Sequence, residues 1–167
     1  YVKVTPGVRW SLSRIYSGDY RWIQQESVFW KRSLWEKTGS GINLNYQLAA
    51  DFELWCRFFK YAKLYSTTAP LSGFRLHGKQ ISILKIDEYE REVTEILNAF
   101  QSSTTDSKRI KRIRKVYKVR DFLKKLRIKP LMLLIILLDH LIEKMHHFPP
   151  MIYFDFDDNK WKRSNGA

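Results

Sequence analysis

Between Lys108 and Lys129 the chain carries twelve Lys or Arg against a single acid, Asp121, so eleven of its thirteen net positive charges lie in 22 residues. Charge at this density has to face water, yet Ile110, Ile113, Val116, Tyr117, Leu123 and Leu126 recur at helical spacing within it. The expectation is a helix packed along one stripe and solvated on the rest of its surface. Pro130 ends it, because proline lacks the amide hydrogen that a continuing helix requires. An apolar helix, 131–144, is then expected from Leu131–Leu138, which reads LMLLIILL. That run is too short to span a bilayer.

The remainder of the chain is nearly balanced in charge, and 44% of all residues are hydrophobic, enough for a domain with a core. Local rather than uniform basicity leaves three readings for 108–144. It is a hairpin packed on the domain, a patch for an anionic membrane surface, or a nucleic-acid site. The last is the weakest, since Tyr117 is the one aromatic side chain among the first fourteen residues of the run and offers little for bases to stack on. Cys56 is the only cysteine and has no partner for a disulfide, which favours a reducing, cytoplasmic setting. The chain starts at Tyr1 without a signal-like segment, so it is expected to be a piece of a longer protein.

Along the chain, Trp22–Trp30 (WIQQESVFW) mixes aromatic and β-branched residues and predicts a strand. Ser33 and Glu36 have capping-box spacing for a short helix that Gly39 stops. Leu48, Phe52, Trp55, Phe58 and Phe59 predict a helix over 48–62. Lys63–Phe74 is strand-like but broken by Pro70 and Gly73, and it leads into Arg75 and His77. Ile86, Tyr89, Val93, Ile96, Leu97 and Phe100 form the stripe of a surface helix over 84–100. The polar stretch SSTTDS marks a composition boundary near residue 105.

Three segments, WIQQESVFWKRSLWEKTG, LAADFELWCRFF and APLSGFRLHGKQIS, occur in an order and at separations that resemble the C-terminal, acceptor-side half of family 2 glycosyltransferases of the GT-A fold. The resemblance covers about residues 20–85. It implies an α/β fold, with a partial GT-A domain of short strands and helices over 1–105 and a helical extension and tail over 106–167. It also implies an inverting transfer of a sugar from a nucleotide-sugar donor to a hydroxyl acceptor, of the kind that builds cell-surface polysaccharide or glycolipid. The nucleotide-binding half would lie outside this chain, which alone is expected to be inactive.

Inverting transfer needs a base to take the acceptor's proton. The resemblance places Asp51 in that role, although Ala50 stands where the family usually has a Glu. On position alone, Asp51 also reads as a helix cap. Gln25 and Glu26, beside Gln24, fall where the family lines its sugar or acceptor pocket. Glu53 either touches acceptor or pairs with Arg57 one turn on. Trp55 either stacks on a sugar ring or belongs to the core. Arg75 is a candidate diphosphate partner, and His77 a candidate ligand for the Mn²⁺ or Mg²⁺ that the complete enzyme would use. Asp155-Phe156-Asp157 spells the family's Asp-x-Asp but follows Asp51 by about a hundred residues, and is read as a chance match in an acidic tail.

The rival from a different class is a non-catalytic module that docks through its basic helix on a membrane surface or an acidic partner.

Overall fold

A computed structural model describes residues 9–16, 23–73, 84–101, 107–126 and 128–164. Their helices are α1 (Leu12–Tyr16), α2 (Arg32–Lys37), α3 (Ala50–Phe59), α4 (Ile86–Gln101), α5 (Ser107–Leu126) and α6 (Met132–His146). Two 3₁₀ turns, Gln25–Ser27 and Lys129–Leu131, punctuate them. Strands β1 (Ile152–Asp155) and β2 (Lys160–Arg163) form a two-stranded antiparallel sheet with Ile152 opposite Arg163. The described architecture is therefore mixed α/β and mostly helical.

The core is organised around α3. Phe52 and Cys56, one turn apart, are buried with Trp10 and Ile15 of the N-terminal segment, with Val93, Ile96 and Leu97 of α4, and with Ile110 of α5. Leu54, Trp55 and Phe58 bury a second face against Ile23, Val28, Leu34 and Trp35. Packing is continuous across residue 105, since Ile110 shares a core with Phe52 and Val93. A helix apolar on most of its circumference is stable only when enclosed in this way. Burying a side chain such as Phe52 contributes about 1.5–3 kcal/mol.

The strand expected over 22–30 is not present in the described residues. Gln25–Ser27 closes a 3₁₀ turn, and Val28 packs on the α3 cluster instead of pairing with a neighbouring strand. Aromatic and β-branched side chains fit any half-buried surface, so their enrichment followed packing and not a sheet. In the segment 63–73 pairing is limited to an isolated parallel bridge from Thr67 to Ile152, where the Ile152 amide donates to Ser66 O at 2.8 Å. The capping box is also absent. α2 starts after Lys31 with no side-chain cap, and Glu36 accepts from Arg32 Nε at 2.8 Å instead. Gly39 does stop the helix, at φ +98°, and the Ser40 amide donates back to Trp35 O at 3.0 Å.

α5 and α6 form a helical hairpin. Arg120 donates to Asp139 at 3.1 Å and Lys124 lies 3.5 Å from the same carboxylate, which sets their register. At the other end of the hairpin, His146 is buried between Ser13 (Oγ 3.2 Å from Nδ1) and Tyr117 (hydroxyl 3.0 Å from Nε2), joining α1, α5 and α6. Arg109 donates to Met145 O near the α6 C-terminus, where a cation complements the helix dipole.

Enclosure also governs Cys56. Burial pushes its thiol well above the ordinary cysteine range, with the Glu53 charge adding to the shift. In the native protein Cys56 is expected to resist a thiol-reactive reagent at neutral pH and to react at once in denaturant; rapid native labelling would contradict the enclosure of α3.

Candidate functional site

The segment leading into α3 is held from a distance. Its N-cap residue, Ala49, has no side-chain oxygen to offer, and Glu92 of α4 supplies one instead. The Glu92 carboxylate accepts from the amides of Gln47 at 3.1 Å, Leu48 at 2.9 Å and Ala49 at 2.8 Å. Desolvation pushes the Glu92 carboxyl up, but the three amides outweigh it and hold it below the usual range.

Those amides lead up to α3, whereas Asp51 serves an amide within its first turn. One of its oxygens accepts from the neighbouring Phe52 amide at 2.7 Å, and the carboxyl is half-buried. Burial raises its pKa above the ordinary Asp value, and the negative charge of Glu26 raises it further, against the lowering effect of local backbone amides. Glu26 sits on the exposed 3₁₀ turn, which Ser27 ties to Ser72 through hydroxyls 2.6 Å apart. The structure thus brings Asp51 and Glu26 within electrostatic reach, with Gln25 exposed on the same turn.

Glu53 is buried and accepts from Arg57 Nε at 2.9 Å. The guanidinium goes on to donate to Thr38 O and Gly41 O, both at 2.6 Å, so this pair pins the α2–α3 loop to α3. Trp55 is buried, packing edge-on against Trp30 with centroids 5.6 Å apart and tilted against Phe58 at 5.8 Å. Its indole Nε1 has no hydrogen-bond partner among the described residues. Trp55 lines a groove of about 470 Å³ with Phe29, Trp30, Phe58 and Tyr61, and with lysines that include Lys31 and Lys63. Asp51 lies one turn before Trp55 on the same side of α3, about 6 Å away along the helix.

Arg75 and His77 lie outside the described residues. Among the described residues no group of three or more His, Cys, Asp or Glu is placed to hold a metal ion. The Asp155–Asp158 stretch is the turn of the β1–β2 hairpin. Asp155 accepts from the amides of Asp157 and Asp158, both at 3.0 Å, and Lys162 pairs with Asp155 and Asp158. The lysine holds the Asp155 carboxyl below its usual range, assisted by the turn amides.

No protein-family model matches the chain, and neither do curated proteins or solved structures.

Two stability outcomes follow from these contacts. Arg57→Ala strands a buried carboxylate and is expected to cost about 3 kcal/mol or more in urea unfolding; a loss below about 1 kcal/mol would mean that water already satisfies Glu53. Glu92→Ala removes the acceptor for the amides of Gln47, Leu48 and Ala49 and is expected to cost about 1–2 kcal/mol. Because folding depresses the Glu92 pKa, its contribution is complete above the unfolded value and is lost as pH falls through the folded one, below roughly pH 4. An unchanged acid limb in Glu92→Ala would refute this role.

Proposed function

We propose that this chain is the acceptor-side part of an inverting glycosyltransferase of the GT-A type, with Asp51 as its general base. The observation that carries this reading is the half-buried Asp51 carboxyl, which burial and the charge of Glu26 make more basic against the opposing pull of its local amides. A carboxylate with a raised pKa is a stronger proton acceptor.

In the reaction, the acceptor hydroxyl oxygen attacks the anomeric carbon from the face opposite the nucleotide. Its proton passes to a carboxylate oxygen of Asp51 as the new glycosidic bond forms. The bond from the anomeric carbon to the diphosphate oxygen breaks, and the nucleoside diphosphate leaves with the electron pair. Glu26 keeps the local potential negative and so favours proton uptake at Asp51, while Gln25 offers an amide to acceptor hydroxyls. The aromatic groove beginning at Trp55 suits the C–H face of a sugar or an apolar aglycone. Arg75 and His77 are assigned to the diphosphate side on the resemblance alone. A divalent cation, where bound, would neutralise charge on the leaving diphosphate. A buried, reduced Cys56 is compatible with the reducing cytoplasmic side, where we place the activity.

The test uses the full-length protein that carries this segment. Asp51→Asn is expected to abolish transfer, by at least about 10³-fold in kcat, with nucleotide affinity nearly intact. Glu26→Gln is expected to retain turnover but to move the acid limb of kcat/KM to lower pH, because removing a like charge lowers the Asp51 pKa. Retained turnover in Asp51→Asn would remove Asp51 as the base.

A further inference from the structure

The α5–α6 hairpin packs on the body of the protein through one side and leaves an unusual surface on the other. α6 turns Ile142 and His146 inward, while Leu133 is 68%, Met132 67%, Ile136 58% and Leu137 57% exposed. Ile128 in the connection and Phe122 on α5 are 50% and 62% exposed. Arg120 and Lys124 both reach Asp139, so the C-terminal half of α5 runs beside the N-terminal half of α6. These six apolar side chains therefore come from one end of the hairpin. Scattered exposed leucines mean little on a protein surface, whereas apolar side chains concentrated at one end mark a contact surface.

Charge identifies what the surface fits. Lys115, Lys118 and Lys125 are exposed and lie seven and four residues before Phe122 and three after it, on the same side of α5. Lys111 extends the row. The acids at this end do not offset it, since Asp121 and Asp139 are both engaged by Arg120.

We propose that this end of the hairpin docks on the surface of an anionic lipid bilayer. The apolar side chains of α6 and Phe122 enter the boundary between headgroups and acyl chains, and the lysines sit against lipid phosphates. No helix among the described residues is long and apolar enough to cross a membrane, so the hairpin lies in the interface. A second copy of the chain is a poorer occupant, because pairing this face with itself sets lysine rows of like charge together. The proposal stands whether or not Asp51 is a base.

Co-sedimentation with vesicles tests it, using phosphatidylcholine alone and phosphatidylcholine mixed with phosphatidylglycerol. The protein is expected to bind the anionic vesicles at least about tenfold more tightly than the neutral ones, and less tightly as salt is added. Lys115/Lys118/Lys125→Gln is expected to abolish the preference for anionic vesicles, and Leu133/Leu137→Ser to weaken binding by about tenfold or more. All five side chains are exposed, so circular dichroism and melting should be unchanged. If the leucine variant fails to fold, the salt series on the wild-type protein and the lysine variant decide the matter. Equal binding to both vesicle types, or variants that bind like wild type, would overturn the proposal. So would a dimer in sedimentation velocity that Leu133/Leu137→Ser disrupts while wild type ignores vesicles, and that result would assign the face to a second copy.

Discussion

α3 is covered by protein on most of its circumference, and this single constraint sets the terms for its neighbours. Water cannot pair the amides at a covered helix start or solvate a covered charge, so both must be met by protein groups. Glu92 reaches across from α4 for the first need, and Arg57 turns back to Glu53 for the second. Each solution recruits another element. Glu92 fixes α4 against the entry to α3, and Arg57 binds the carbonyls of Thr38 and Gly41, holding the loop after α2. Asp51 is left with a local amide contact and a partly desolvated carboxyl, the condition in which a carboxylate becomes a useful base.

A comparable polar junction fastens the basic hairpin. His146 lies among apolar side chains and uses both ring nitrogens, one toward Ser13 and one toward Tyr117. Such a group specifies geometry more than it adds stability, since any displacement leaves a buried nitrogen unpaired. The inner ends of α5 and α6 are thereby held against α1, and the outer ends carry the exposed leucines and lysines.

What could be read from the sequence was what depends on near neighbours. The stripes of α4 and α5, the Pro130 break and the Glu53–Arg57 spacing are relations within a turn or two, and the structure places helices and that ion pair accordingly. The distinction between Asp51 and Glu53 was half legible. Spacing tied Glu53 to Arg57, but nothing near Asp51 signalled that the amides just before it are held by a carboxylate 41 positions later. The residues of WIQQESVFW were misread for a related reason. Their composition reports a half-buried surface, and only the tertiary structure reveals that the surface is α3 and not a sheet. The Asp-x-Asp of the tail resolves through Lys162, whose pairing with Asp155 makes the motif a hairpin turn.

The Ser13–His146 junction also bears on how the chain reaches this structure. Its partners are separated by 133 residues, and Trp10 and Ile15 are buried with Ile110. At ordinary rates of synthesis, roughly ten seconds pass between the emergence of α1 and that of its partner in α6. Until α5 emerges, α3 lacks the cover of Ile110, and Phe52 and Cys56 face water or whatever holds the nascent chain. Closure of the Ser13–His146 junction is therefore a late, long-loop event, and α1 waits for α6.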